Sequence, residues 1–122
     1  MTVDLSTRVG SVSLPNPILT ASGTSGHGAE LEAYLPLSSL GAVVVKSLSA
    51  EAWAGSPAPR LHETPSGMLN SVGLQGPGVE AWLEHDLPPL LATGARVVAS
   101  IWGTSVDGYA KAADMLAAAP PE

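Results

Sequence analysis

The sequence predicts an α/β fold in which parallel strands are joined by crossover segments. Three observations carry this reading. The apolar run Leu40-Gly-Ala-Val-Val-Val45 reads as a strand buried on both faces, and Arg96-Val-Val-Ala-Ser-Ile-Trp102 as the next buried strand. Each run is entered through a similar joint, Leu-Gly-Ala or Thr-Gly-Ala, where a helix hands over to a strand. Strands also alternate with stretches of helical periodicity, and that order requires parallel pairing with crossovers. The strand–helix units in 122 residues are too few to close a barrel, which needs eight strands and about 250 residues. The chain is therefore either a small open α/β domain or the front of something longer.

Residues 3–14 alternate apolar and polar around Gly10, the pattern of a short β-hairpin that caps something larger. Pro15-Asn-Pro17 ends it. Ile18-Leu-Thr-Ala21 reads as a brief buried strand, and Ser22-Gly-Thr-Ser-Gly-His-Gly28 as a small-residue loop able to bring backbone close to a ligand. A helix is expected from about Ala29 to Leu37, with Leu31, Tyr34 and Leu35 on one face. Gly41 suits the left-handed turn that would end it.

From Ser47 to about Gly76 the chain is rich in Pro, Gly and Ser and reads as one long irregular loop. The interleaved Leu61, Met68, Leu69, Val72 and Leu74 make it an ordered one. Pro77 opens the next helix at its first turn. Val79, Trp82, Leu83, Leu87, Leu90 and Leu91 recur at helical spacing, with a kink or restart at Pro88-Pro89. Gly94 ends that helix, and the Arg96–Trp102 strand follows. A closing helix runs from about Ser105, its N-cap, to Ala118, with Val106, Tyr109, Ala110 and Ala113 facing inward.

Composition narrows the function. An apolar share of 45% with 13% charged residues describes a globular chain. A net charge of −6 with five basic residues argues against nucleic acid and anionic membranes as partners. The absence of cysteine excludes a disulfide framework, a thiolate metal site and an iron–sulfur ligand from this segment. Without a charged-then-apolar leader or a bilayer-length apolar run, the expected location is the cytoplasm.

The candidate site begins at Lys46, where the valine strand stops on one of the chain's two lysines. An ammonium at the end of a buried strand calls for an anionic or strongly polar partner, and ligands of α/β folds bind at the carboxyl ends of strands. On position alone, an equally good reading is a stem that packs while its head reaches water. His27 and His62 lie in loops with no partner at metal or triad spacing and read as surface or packing residues. His85, Glu80, Glu84 and Asp86 read as a solvated helix flank.

Three stretches then carry a resemblance. Leu14-Pro-Asn-Pro-Ile-Leu-Thr-Ala-Ser-Gly23, Gly41-Ala-Val-Val-Val-Lys-Ser47 and Pro59-Arg-Leu-His-Glu-Thr-Pro-Ser-Gly-Met-Leu-Asn-Ser-Val-Gly-Leu-Gln75 together resemble the dihydroorotate dehydrogenases, most closely the NAD-linked class 1B. The resemblance covers nearly the whole chain, in order and at the family's spacing. It implies the N-terminal part of an FMN-binding (β/α)8 TIM barrel, residues 1–122 being one incomplete domain. It implies oxidation of dihydroorotate to orotate in pyrimidine biosynthesis, by hydride transfer to FMN with NAD as final acceptor. Ala21, Ser22, Gly23, Lys46, Ser47 and Ser100 fall at flavin-contacting positions. Lys46, Asn70, Ser71, Val72, Gly73 and Leu74 fall at substrate-binding positions. The implied partners are dihydroorotate or orotate, a second copy in a homodimer, and an electron-transfer subunit carrying FAD and a [2Fe–2S] cluster.

Gly76 and Ser100 depart from the family pattern, where asparagine is usual, and Trp102 and His27 are also not the residues the resemblance leads one to expect. The resemblance also places the catalytic base, a second lysine and a Gly-rich phosphate site beyond Glu122, so no catalytic residue is expected within the chain. The alternatives are another flavin barrel, such as the pyrimidine-reducing domain of dihydropyrimidine dehydrogenases, and a truncated product without activity.

Overall fold

The computed structural model describes residues 3–118, which form two compact units. One comprises the chain up to Ser47 together with Ala81–Ser100, the other Leu48–Glu80 together with the chain from Ile101 onward.

In the first unit, β1 (Thr7–Val9) and β2 (Val12–Leu14) pair antiparallel, with Thr7 opposite Leu14. The central element is β3 (Val43–Val44), parallel to β6 (Val97–Val98) with Val43 opposite Val97. Val43 N–H donates to Arg96 O at 2.7 Å and Val45 N–H to Val98 O at 3.1 Å, which extends the ladder past both named strands. Ala42, Val43 and Val45 are buried, as the all-apolar run predicts.

On the other side of β3, the expected strand over 18–21 is reduced to one parallel bridge, Leu19 to Ala42. A side chain takes over from the main chain there. Thr20 Oγ1 accepts from Val44 N–H at 2.8 Å and donates to Val44 O at 3.2 Å, while Ser25 Oγ donates to the same carbonyl at 2.6 Å. These hydroxyls satisfy the edge of β3 in place of a continued ladder.

The helix expected over 29–37 is instead two 3₁₀ turns, Glu30–Ala33 and Leu37–Ser39. Glutamate side chains compete with helical bonding at this point. Glu30 accepts from the N–H groups of His27 and Gly28, and Glu32 accepts from Leu37 N–H at 2.8 Å. Pro36 supplies no N–H of its own. The anchor of the segment is Leu37, which is fully buried, whereas Tyr34 is 84% exposed rather than inward. Gly41 does not take the left-handed conformation either. It is needed because a Cβ there would lie 2.2 Å from Asn16 O.

Helical structure before β6 is built from α1 (Val79–Ala81), a π-helical turn (Trp82–Asp86) and α2 (Leu87–Leu91). It starts two residues after Pro77, which remains in the preceding loop. Leu87 N–H donates to Trp82 O, a bond that skips one residue more than an α-helix does. Pro88 and Pro89 explain the widening, since they lack N–H groups and their rings clash with carbonyls one turn back. Gly94 N–H closes on Leu91 O at 2.9 Å and ends the helix.

In the second unit, the stretch expected to be irregular contains an antiparallel hairpin, β4 (Leu61–Thr64) with β5 (Gly67–Asn70), turned by Pro65-Ser66. Every residue of both strands is exposed, so no apolar alternation marks them. The unit also holds one parallel bridge, Leu48 to Ile101, and α3 (Val106–Ala117). Ser105 caps α3 as expected, its Oγ accepting from Gly108 N–H at 3.1 Å. The buried residue of α3 is Ala112, with Gly108, Met115 and Leu116 half-buried. Val106 is 84% and Tyr109 46% exposed, and Ala110 and Ala113 are exposed too, so the expected inward face is turned out. In so alanine-rich a helix the apolar positions do not distinguish one face from another. No described helix is long and apolar enough to cross a membrane.

Candidate functional site

The parallel arrangement of the first unit sets Leu19, β3 and β6 side by side, with β3 in the middle. Ala21–Gly23, Lys46–Ser47 and Ser100 therefore follow the carboxyl ends of three neighbouring segments, the location where such folds bind ligands. Six residues selected from three separate stretches of sequence meet at one end of one sheet.

Ala21 O accepts from Thr24 N–H at 3.0 Å and Ser25 N–H at 3.1 Å, which folds the Ala21–Gly23 stretch into a tight turn. Ser22 is half-buried and Ala21 and Gly23 are exposed, with open space where a Gly23 Cβ would lie. Ser47 Oγ and Ser100 Oγ stand 2.7 Å apart. That bond uses one of the two hydroxyl protons and leaves the other free to donate onward.

Lys46 is half-buried rather than buried. Its main-chain N–H donates to Gly26 O at 2.8 Å, and among the described residues its side chain has no hydrogen-bond or ion-pair partner. The neighbouring Ser25–Gly28 strap is tied down by Trp82, whose buried indole N–H donates to His27 O at 2.6 Å. Burial, and then the Lys46 charge, hold the His27 imidazole below its ordinary pKa, against the opposing pull of Asp86 and Glu30. His27 Nε2 is buried without a hydrogen-bond partner. For Glu30, burial pushes the carboxyl up, but the N–H groups of Glu30, Gly28 and His27 outweigh it and the net direction is down.

Asn70–Leu74 lies in the second unit. Asn70 ends β5 opposite Leu61, Ser71 N–H donates to Arg60 O at 2.8 Å, and Ser56 N–H donates to Val72 O at 3.1 Å. Asn70, Ser71, Gly73 and Leu74 are exposed and Val72 is half-buried. Gly73 and Leu74 both have positive φ, +74° and +59°. A leucine in that region costs on the order of 1–3 kcal/mol and persists only where its surroundings impose it. The substrate loop predicted from sequence is thus a held, strained backbone. Sequence reasoning missed Trp53, whose indole N–H donates to Gly73 O at 3.0 Å, since a lone tryptophan in a Pro/Gly-rich stretch gives no periodic signal.

His62 lies on exposed β4, and His85 is exposed with Glu84 3.8 Å away, both as expected. Among the described residues no cluster of His, Asp and Glu could hold a metal ion.

A family model described as dihydroorotate dehydrogenase matches residues 4–120. This chain belongs to that family. Curated relatives named "Dihydroorotate dehydrogenase B (NAD(+)), catalytic subunit" are similar to it. The protein from Desulforudis audaxviator is 47% identical over 120 residues, covering 98% of this chain and 39% of its own length. That from Alkaliphilus metalliredigens is 46% identical over 107 residues, covering 88% and 35%. That from Geotalea uraniireducens is 42% identical over 113 residues, covering 93% and 37%. The chain thus spans 35–39% of the length of these relatives. Membership points to a flavin as cofactor, and the first unit's residues suit one. An ammonium without a protein partner among the described residues, a hydroxyl pair with a spare proton and an open glycine turn are compatible with a flat heterocycle edged with acceptor atoms.

Proposed function

We propose that this chain supplies flavin-contacting and substrate-reading elements to a dihydroorotate dehydrogenase of the NAD-linked type, built as a single (β/α)8-barrel domain. The observation that carries the reading is the gathering of Ala21–Gly23, Lys46–Ser47 and Ser100 at the carboxyl ends of adjacent parallel segments. FMN would be held there, and when bound it accepts the hydride that leaves dihydroorotate as orotate forms. Lys46 offers its ammonium to an acceptor edge of the cofactor and to the substrate carboxylate. Ser47 and Ser100 orient the cofactor through their spare hydroxyl proton. The Asn70 carboxamide, with one acceptor and two donors, matches a pyrimidine edge that sets a carbonyl beside an N–H. Ser71–Leu74 supplies the shaped backbone around it.

The substrate-side proton is removed by a base outside residues 1–122. The complete enzyme works in the cytoplasm in UMP biosynthesis as a homodimer, joined by an electron-transfer subunit with FAD and a [2Fe–2S] cluster that passes electrons to NAD. The test is to purify the complete protein, identify its flavin by mass, and follow dihydroorotate-dependent NAD reduction with the partner subunit present. Bound FMN and orotate formation are expected. A flavoprotein inert to dihydroorotate but active on uracil or thymine would overturn the assignment in favour of the dihydropyrimidine class.

A further inference from the structure

We propose that Trp53 is a positioning residue for the Asn70–Leu74 loop, and that it sets substrate affinity through the Gly73–Leu74 peptide. Three bonds tie it to the stretch from Gly73 to Gly76, one of them to the loop itself. Trp53 N–H donates to Gly76 O at 2.9 Å, Gly76 N–H donates back to Trp53 O at 3.0 Å, and the Trp53 indole N–H donates to Gly73 O at 3.0 Å. The first two belong to an antiparallel bridge that any residue at position 53 can make. The third depends on an indole, or another donor of the same reach.

Gly73 O is one end of a planar unit whose other end is Leu74 N–H. Fixing the carbonyl fixes the plane, and with it the direction of the N–H on its opposite side. The plane lies between two residues of positive φ, where leucine does not settle by its own preference. A Cβ on Gly73 would lie 2.5 Å from Ser56 Oγ and 2.6 Å from Ser56 N, so the loop is also pressed against the chain beside Trp53. Trp53 is itself braced. Its ring meets Trp102 edge-on, with centroids 5.5 Å apart at 78°, and Trp102 is fixed by its N–H to Leu48 O at 3.0 Å.

This inference rests on the reading of Asn70–Leu74 as the substrate loop, and the test separates the two. In the complete protein, Trp53→Phe keeps the ring contact and the bridge but removes the donor. The expected result is a KM for dihydroorotate raised about three- to tenfold, the effect of one hydrogen bond. Turnover should stay within about twofold and flavin content should not change. Trp102→Phe is the comparison for the ring contact alone, because among the described residues its indole N–H makes no hydrogen bond; it should raise KM less than Trp53→Phe does. Benzothienylalanine at position 53 replaces the N–H by sulfur at nearly constant shape. It should reproduce the KM change even where the phenylalanine variant folds poorly. An unchanged KM with the sulfur analogue, or equal KM changes in the Trp53 and Trp102 variants, overturns the positioning role. If Asn70→Asp impairs dihydroorotate oxidation in that same protein, the substrate-loop reading still stands. If neither position affects dihydroorotate, both fall.

Discussion

Ser47 Oγ and Ser100 Oγ share a hydrogen bond of 2.7 Å although 53 positions separate them in sequence. The parallel pairing of Val43–Val44 with Val97–Val98 brings the chain to that point on both sides. Two serines that each suit a tight turn in isolation become a coupled pair at the proposed flavin site. A double-mutant cycle of Ser47→Ala and Ser100→Ala should therefore show a coupling of about 0.5–1.5 kcal/mol in unfolding free energy. Strictly additive losses would dissolve the pair. Each single variant should also bind flavin more weakly in a fluorescence titration.

Lys46→Ala in the complete protein should impair catalysis far more than folding. The side chain is half-buried and has no protein partner among the described residues, so its loss leaves no buried charge unpaired. Losing a charge-assisted contact to substrate or cofactor costs about 1.5–3 kcal/mol, or roughly ten- to a hundredfold in kcat/KM. The thermal midpoint should move little. Unchanged turnover and unchanged orotate affinity would remove Lys46 from the site.

The sign of the pH dependence follows from His27 and Glu30. Burial first, and then Lys46, lower the folded pKa of His27 below its ordinary 6.5. The unfolded chain therefore binds the proton more readily, and the neutral imidazole's contribution to stability is present above about pH 6.5. It is lost as pH falls through the window between the unfolded and folded values. Glu30 acts in the same direction from its ordinary 4.5 downward. His27→Gln should flatten the fall in melting temperature as pH drops below about 6.5 while leaving the steeper acid limb. An equally steep fall in the variant would place the titrating group elsewhere.

Several local features were legible in sequence. Lys46 stands out because an all-apolar run ends on a charge, and Ser105 because a capping residue precedes a helical stretch. What was not legible has a local cause in each case. The 3₁₀ turns at 30–39 arise from Glu30 and Glu32 bonding to backbone N–H groups in place of a helical ladder. The Leu61–Asn70 hairpin is exposed on both faces, so its strands carry no period-two signal. Alanine hides the buried face of α3. Thr20 ends a strand by replacing main chain with a hydroxyl, and Trp53 acts through one indole N–H. None of these leaves a repeating pattern to be read.

Asn70→Asp in the complete protein separates substrate from cofactor. It keeps the side-chain shape but replaces two donors by a charge, which repels the substrate carboxylate and leaves a ring carbonyl unpaired, a cost of about 1–3 kcal/mol. The variant should stay yellow while dihydroorotate oxidation falls at least roughly tenfold, equivalent to 1.4 kcal/mol. Loss of the flavin instead would make Asn70 a cofactor or structural residue.

The most direct measurement is anaerobic mixing of dihydroorotate with the complete protein while the flavin absorbance is followed in a stopped flow. The wild-type protein should bleach fully in a single turnover and release orotate in equal amount to flavin. With Lys46→Ala, the same bleaching should be slower by about ten- to a hundredfold. A flavin that stays oxidised in the wild-type protein, or a Lys46→Ala variant that bleaches at the wild-type rate, would contradict the account.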